Sequence, residues 1–230
     1  MTFKKENVLT ICQDQRGSTT WNDAIQRAAR AILHDQIVLL PTETVYGIGA
    51  RAFSDRANRK LCHGKNRRPG HALPLVVRDW NMLETLLSNA DPRAKVLANA
   101  FWPGPITIVI DVDTNDPALN QFEPFAKLAV MPQSSLGFRA PNHPFVLDLL
   151  QELNQPITLT SANLTGRQPV RSIDEAIQQL GDFLDLIVDD GRREYASPST
   201  VLKLEKNNLA LLRQGAINME QIISALNSSL

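Results

Sequence analysis

The chain has 230 residues, of which 43% are hydrophobic, and its 24 basic and 24 acidic residues give a formal net charge of zero. This balance argues against broad, charge-driven binding to nucleic acid, and no apolar run approaches the roughly 20 residues that a membrane helix needs. The N-terminal segment has no long apolar core typical of a secretory signal, and Cys12 and Cys62 have no metal-spaced partners. We therefore expect one cytoplasmic domain without a structural zinc site.

Helix and strand signals alternate along the chain. Helices are predicted where apolar residues recur at helical spacing behind a capping residue, beginning near Thr19 or Thr20, Asp91, Pro144, Ser172 and Asn218. Short apolar runs predict strands at residues 37–40, 75–77, 106–112, 128–131, 157–160, 186–188, 200–204 and 209–212. Because several crossovers contain helices, the pattern predicts an α/β or α+β fold with a partly parallel sheet. Lower order is expected at residues 1–17, 113–124 and 191–198.

The most informative segment is P-T-E-T-V-Y-G-I-G-A at residues 41–50, which directly follows the strand predicted at 37–40. Pro41 cannot donate to a strand ladder, so we expect the strand to end there in a polar loop. A turn leaving the sheet is the commoner use of such a segment. A small ligand at the strand end is the alternative, contacted by the hydroxyls of Thr42, Thr44 and Tyr46.

A group of basic side chains lies between residues 51 and 68, where Asp55 is the only acid. A solvated helix face is the simpler interpretation of its first half. Lys65 and Arg67 differ, because Pro69 and Gly70 end any helix there and leave these cations on a loop. Such cations could neutralise a triphosphate, although the sequence has neither a P-loop nor a G-x-G-x-x-G motif after a strand.

Several motifs follow one another in a recognisable order: P-T-E-T-V-Y-G at 41–47, K-N-R at 65–67, W-P-G-P at 102–105, G-F-R-A-P at 137–141, T-S-A-N at 160–163, S-T-V at 199–201 and L-R-Q-G at 212–215. In this order and at these separations they resemble the YrdC/TsaC family of threonylcarbamoyl-AMP synthases, over about residues 20–217. The resemblance implies a single domain with a strongly twisted mixed sheet, flanked by helices, whose concave face forms a ligand cleft. It divides the chain into an N-terminal extension, residues 1–17, and a YrdC-like catalytic domain, residues 18–230.

The resemblance also implies an activity. Members of the family are nucleotidyltransferases that convert L-threonine, bicarbonate and ATP to threonylcarbamoyl-AMP and pyrophosphate, for the threonylcarbamoyladenosine modification of tRNA. Mg²⁺ accompanies the ATP, and the implied partners downstream are tRNA threonylcarbamoyl-transfer proteins. No protein nucleophile is expected, because a carbamate formed from threonine attacks the α-phosphorus and catalysis consists of positioning and charge neutralisation.

Residue roles follow from the same resemblance. Lys65 and Arg67 match the K-x-R motif and would hold the triphosphate as catalytic residues. The other ATP-binding residues would be Ser135, Ser161, Asn163 and Arg213. The threonine-binding residues would be Thr42, Arg139 and Ser199. Arg139 would pair with the amino acid carboxylate, which a planar guanidinium can bind through parallel hydrogen bonds. The resemblance implies no metal-ligating residue.

Other interpretations remain open. The link after Arg67 is longer than in typical family members, and residues 131–135 are atypical, so a YciO-like paralogue with a changed substrate is one alternative. A second is an RNA-binding module that uses the basic residues 51–68, although neutral net charge and few aromatic residues weaken it. Ser161 and Asn163 could simply cap a turn, and Arg139 could be a surface arginine.

Overall fold

The computed structural model describes residues 5–67, 70–181, 183–191 and 198–228. The strands are β1 (Val8–Thr10), β2 (Val38–Leu40), β3 (Gly47–Arg51), β4 (Leu75–Val76), β5 (Ile106–Asp111), β6 (Ser135–Arg139), β7 (Ile157–Ser161), β8 (Leu186–Asp189), β9 (Thr200–Leu204) and β10 (Leu209–Arg213). The helices are α1 (Thr19–Leu33), α2 (Asp55–Gly64), α3 (Trp80–Glu84), α4 (Pro92–Phe101), α5 (Pro124–Val130), α6 (Pro144–Leu153), α7 (Ile173–Leu180) and α8 (Met219–Asn227). Short 3₁₀ helices lie at Lys5–Asn7, Gln13–Gln15 and Pro117–Gln121.

The strands form one ten-stranded mixed sheet in the order β1-β8-β2-β3-β7-β4-β6-β5-β9-β10. The pairs β1–β8, β2–β8, β4–β6 and β5–β9 are parallel, and the remaining neighbours are antiparallel. The predicted single mixed sheet flanked by helices is confirmed. Its register places Ser161 opposite Gly47, Arg139 beside Val76 and Arg213 opposite Val201, so motifs far apart in the chain meet on the sheet.

The predicted helix starts have a clear local cause. Side chains of Asp91, Ser172 and Asn218 accept hydrogen bonds from backbone N–H groups in the first turns of α4, α7 and α8, as N-cap residues do. The cap of α1 is Ser18, not the predicted Thr19 or Thr20. The apolar stripe of α1 is buried, and its Trp21 packs edge-on against Phe145 of α6 with ring centroids 5.3 Å apart.

Some sequence predictions were wrong. Residues 128–131, predicted as a strand, belong mostly to α5, which begins at Pro124 and buries Ala126 and Val130 at helical spacing. β3 lies within the segment predicted to be a polar loop. Its glycines lower its predicted strand propensity. A Cβ on Gly47 would stand 3.0 Å from the Leu159 side chain of β7, so any larger residue there would have to displace that leucine.

Other predicted segments have regular structure where the chain is described. Within the predicted extension of residues 1–17, β1 pairs in parallel with β8 and forms one edge of the sheet. Residues 113–124, expected to be poorly ordered, contain the 3₁₀ helix Pro117–Gln121, capped by Asp116. Residues 1–4, 68–69 and 192–197, which fall in predicted loops, lie outside the described residues. Over the described ranges no helix has the length and apolar character to cross a bilayer.

Candidate functional site

A cleft of about 590 Å³ lies on the sheet and is lined by residues from β3 to β7, from β9 and β10, and from the loops that follow them. Apolar side chains form part of its wall: Val76, Val109, Leu159, Val201 and Leu212. A volume of this size suits a small organic ligand rather than a macromolecule. The predicted ligand cleft is therefore present on the sheet.

Most of the predicted site residues meet in this cleft, namely Thr42, Arg67, Ser135, Arg139, Ser161, Ser199 and Arg213. Lys65 and Asn163 are not part of the lining; they are buried behind it, with 2% and 8% exposure. The lining also includes polar residues that the sequence analysis did not identify: Gln133, Gln168 and Arg171. These residues stand in irregular segments between elements, where no periodic signal marks them.

The Arg67 side chain is hydrogen-bonded to the backbone of the loop that follows it. Its Nε donates to the carbonyl of His71 at 3.0 Å and its Nη2 to the carbonyl of Ala72 at 2.6 Å. Its Nη1 lies 3.4 Å from Oγ1 of Thr160 on β7. Burial lowers the pKa of Arg67 from its ordinary value. The guanidinium is thus oriented by backbone acceptors before any ligand arrives.

Lys65 follows α2 and is enclosed by the loop after β7. Its amine donates to the carbonyl of Ser161 and, at 2.7 Å, to the carbonyl of Asn163. Burial, together with the neighbouring charge of Arg67, lowers the pKa of Lys65 to about 7. In this arrangement the amine contacts the wall of the cleft and not its interior.

Ser161 and Asn163 are linked to each other. Ser161 Oγ donates to Asn163 Oδ1 at 2.5 Å, and Asn163 Nδ2 donates to the carbonyls of Leu164 at 2.9 Å and Arg167 at 2.7 Å. Both side chains therefore stabilise the turn, as the turn-capping interpretation predicted. It does not exclude ligand binding, since Ser161 also lines the cleft.

Arg139 ends β6 inside the cleft, with a side chain only 12% exposed, so the surface-arginine alternative is wrong. Its Nη2 donates to Glu43 Oε1 at 2.5 Å and its Nε to the carbonyl of Gly104 at 3.1 Å. Among the described residues, the one contact of its Nη1 is with Oγ1 of Thr44, at 3.5 Å. N–H groups on that side of the guanidinium are available to a ligand carboxylate.

Thr42 shapes the turn that carries Glu43. Its Oγ1 donates to the carbonyl of Val45 at 2.6 Å and accepts from the backbone N–H groups of Thr44 and Val45, both at 3.2 Å. The segment after β2 is therefore a turn stabilised by the hydroxyl of Thr42, and it also lines the cleft. The turn interpretation is confirmed, and ligand binding by this segment stays a prediction.

Arg213 and Ser199 form a second polar corner. Arg213 donates through Nε to the carbonyl of Ser199 at 3.0 Å and through Nη2 to its Oγ at 2.8 Å. Burial, followed by the charge of Arg139, lowers the pKa of Arg213. Gly215 allows the backbone after β10 to pack directly against residues 198–200, because a Cβ there would lie 2.2 Å from the carbonyl oxygen of Pro198. Two guanidinium groups thus act on one region of the cleft and favour an anionic ligand.

The basic residues at the start of the 51–68 segment have acidic partners. Arg56 pairs with Asp35 at 3.1 Å, Arg59 with Asp55 at 3.7 Å, and Lys60 with Asp185 at 2.5 Å. This agrees with the interpretation as a solvated, ion-paired helix face. Such pairing weakens the case for a nucleic-acid platform on α2, since each phosphate contact would have to displace a carboxylate.

Comparisons with known proteins agree on one family. The family model Sua5_yciO_yrdC, described as telomere recombination, matches residues 30–215. A protein of Mycobacterium tuberculosis (strain H37Rv) is 34% identical over 202 residues, which is 88% of each chain. The threonylcarbamoyl-AMP synthase of Bacillus subtilis is 32% identical over 209 residues, 89% of this chain and 57% of its own. The crystal structure of Pyrococcus abyssi Sua5 complexed with L-threonine matches with a TM-score of 0.83 and 27% identity over 95% of this chain; the chain spans 60% of that protein.

Proposed function

Because the chain belongs to the Sua5/YciO/YrdC family, we propose that it is a threonylcarbamoyl-AMP synthase, which forms threonylcarbamoyl-AMP and pyrophosphate from L-threonine, bicarbonate and ATP. The observation that carries this proposal is the meeting of Arg67, Arg139 and Arg213 in one cleft. The described lining contains no carboxylate, and Glu43, which lies outside that lining, pairs with Arg139 alone among the three. A site with this charge suits substrates that bring a carboxylate and a triphosphate together.

The threonine carboxylate is assigned to Arg139. Arg139 Nε donates to the carbonyl of Gly104, and one N–H of its Nη2 donates to Glu43. These two hydrogen bonds fix the orientation of the guanidinium before the ligand binds. Thr42 and Ser199 line the same cleft. The Ser199 hydroxyl would contact threonine, whereas the Thr42 hydroxyl, which already donates to Val45 and accepts from two backbone N–H groups, would shape the turn against which threonine lies. Similarity to a Sua5 structure that contains L-threonine supports this assignment.

The nucleotide is assigned to the other side of the cleft. Arg67 and Arg213 would neutralise the phosphates, and Ser135 would donate a hydroxyl hydrogen bond to the nucleotide. Ser161, whose hydroxyl proton is donated to Asn163, would accept one. Arg67 is the proposed catalytic cation, because charge builds on the β- and γ-phosphates as the bond to the α-phosphorus breaks. Lys65 and Asn163 support the same wall from behind.

The chain's residues have a limited part in the chemical steps. The amine of threonine must lose a proton and bond to the carbon of carbon dioxide to give a carbamate; when bicarbonate is the source, one water molecule leaves as the C–N bond forms. A carbamate oxygen then bonds to the α-phosphorus while the bond to pyrophosphate breaks. The protein would hold the two reactants within reach and offset the phosphate charge, which requires no nucleophilic side chain.

Mg²⁺ would enter as part of the nucleotide substrate. Over the described residues there is no group of three or more His, Cys, Asp or Glu side chains that could hold a metal ion. Mg²⁺ is commonly bound through substrate phosphates and water with few protein ligands, which fits this cleft. The ion would share the charge of the triphosphate with Arg67 and Arg213. We also propose that the protein works in the cytoplasm and passes its product to tRNA threonylcarbamoyl-transfer proteins.

The experiment that tests the function is an omission assay for pyrophosphate. Release from ATP should require threonine and bicarbonate together, because neither alone provides the carbamate. Serine should be used less well, since filling the space of one methyl group contributes about 1 to 3 kcal/mol of discrimination. ATP turnover that is unaffected by leaving out threonine would contradict the proposal and favour a paralogue with another substrate.

A further inference from the structure

Lys65 makes an unusual set of contacts for a residue predicted to hold a triphosphate. Its amine donates to the carbonyls of Ser161 and Asn163, and its own carbonyl accepts from Thr165, through the backbone N–H at 3.1 Å and through Oγ1 at 2.8 Å. All of these partners lie in the loop of residues 161–165. A single residue thus holds both the beginning and the end of that loop.

We propose that Lys65 is a positioning residue, which fixes the loop of residues 161–165 at the wall of the cleft and does not contact the triphosphate. The proposal deepens the synthase function and rests on it for the identity of the nucleotide. It differs from the role expected of the K-x-R motif, in which the lysine and Arg67 would hold the phosphates alike.

Lys65 and Arg67 differ in how far they are buried. Lys65 is 2% exposed and does not line the cleft, whereas Arg67 lines it. A neutral amine has two N–H donors, which the carbonyls of Ser161 and Asn163 satisfy. A pKa lowered to about 7 gives that neutral form a large share at physiological pH. An amine in this state is suited to holding backbone carbonyls.

The loop that Lys65 holds carries a residue that faces the ligand. Ser161 lines the cleft, and its Oγ is oriented by Asn163, whose side chain in turn donates to the carbonyls of Leu164 and Arg167. Loss of the Lys65 amine would leave the carbonyls of Ser161 and Asn163 without these donors. The loop would then sample other conformations, and Ser161 would be less often in position for the nucleotide.

The test compares Lys65→Met with Lys60→Met by hydrogen–deuterium exchange in the free protein. Methionine keeps much of the length of lysine but not its donors. Lys60 is a cation within α2, the helix that Lys65 follows, and it pairs with Asp185 outside the cleft. Lys65→Met should raise exchange at the amide of Thr165 at least tenfold, while Lys60→Met should leave it unchanged. Exchange at Thr165 that stays at the natural rate in Lys65→Met would overturn the proposal.

A second measurement separates positioning from direct phosphate contact. Thr165→Val removes one hydrogen bond between the loop and Lys65 without changing the charge of the lysine. By calorimetry it should weaken ATP binding about threefold while threonine binding stays unchanged, and the double variant with Lys65→Met should be no weaker than Lys65→Met alone. Losses that multiply in the double variant, or a Thr165→Val protein with natural ATP affinity, would indicate direct contact instead.

Neither measurement depends on turnover. Exchange is read in the absence of ligand, and ATP affinity is read without catalysis. Failure of the synthase function would appear in the pyrophosphate assay alone. If Lys65→Met does not fold, Lys65→Gln takes its place, because its side chain is one bond shorter and its amide nitrogen falls short of the carbonyls of Ser161 and Asn163. It should raise exchange at Thr165 as well, and unchanged exchange in that variant would overturn the proposal.

Discussion

Arg139 and Glu43 form an ion pair in the cleft, with Nη2 of the arginine 2.5 Å from Oε1 of the glutamate and both side chains less than one-fifth exposed. The glutamate holds one edge of the guanidinium, and the carbonyl of Gly104 holds its Nε. The carboxylate thus reduces the net charge of the site but fixes the direction of the remaining N–H groups. This arrangement favours an anion that can accept parallel hydrogen bonds over one that merely carries charge.

Replacement of Arg139 by lysine tests this geometry. Lysine can still neutralise Glu43 but lacks the planar fork, so threonine affinity should fall at least tenfold, about 1.4 kcal/mol, while ATP affinity changes less than twofold. Calorimetry with each ligand measures both. Arg78→Lys, in the surface pair with Asp79, is the control and should change neither. Unchanged threonine affinity in the Arg139 variant would show that another group binds the carboxylate.

Arg213 and Ser199 should behave as one unit, because the arginine donates to both the carbonyl and the hydroxyl of the serine. Arg213→Ala and Ser199→Ala should each lower kcat/KM for pyrophosphate release. The double variant should lose less than the product of the single losses by at least threefold, as residues in contact commonly do. Combining Arg213→Ala with Lys60→Ala should give independent effects. Fully independent effects for the serine pair would mean that their contact has no part in catalysis.

Arg67 distinguishes a nucleotide site from a nucleic-acid surface. Arg67→Ala should lower the rate of pyrophosphate release at least tenfold, about 1.4 kcal/mol of transition-state stabilisation. Arg59→Ala, on the paired face of α2, should leave the rate unchanged. RNA titrations at two salt concentrations complete the test. Normal turnover together with weaker, less salt-dependent RNA binding in the Arg67 variant would favour the RNA-binding alternative.

The lowered pKa of Lys65 makes stability depend on pH. The unfolded lysine stays protonated up to about 10.4, whereas the folded amine loses its proton near 7. Between these values the unfolded chain binds more protons, so the free energy of unfolding rises with pH, by at most about 1.4 kcal/mol per unit. Urea denaturation of the natural protein and of Lys65→Met at pH 7, 8 and 9 should show their difference shifting in favour of the natural protein. A difference independent of pH would place the pKa of Lys65 outside this window.

Much of the fold could be predicted from the sequence, because the periodic spacing of apolar residues reflects which side chains are buried. The stripe of α1 and the capping side chains of Asp91 at α4 and Ser172 at α7 are local features that tertiary contacts reinforce. β3 and β6 were missed because their glycines lower strand propensity, although at Gly47 a side chain would crowd the neighbouring Leu159. α5 was missed because a short apolar run has no period of its own.

The candidate site was predictable as a set of residues and not as an arrangement. Motif order identified seven of the residues that meet in the cleft, though not Gln133, Gln168 or Arg171, and the register of the strands brings the motifs together. Spacing in the chain gave no sign that Glu43 would engage Arg139, or that Lys65 would be buried behind the lining while Arg67 faces it. These relationships depend on contacts between residues that are far apart in the chain, such as Lys65 and Asn163, which are 98 positions apart.

The most direct test of the proposed function follows one carbon atom. With isotopically labelled bicarbonate, ATP and threonine, the nucleotide product should contain the labelled carbon and threonine in equal amounts with AMP, one per pyrophosphate released. Mass spectrometry of the product, trapped quickly at low temperature, measures all of these together. Pyrophosphate released without labelled carbon in the nucleotide would contradict threonylcarbamoyl-AMP synthesis by this protein.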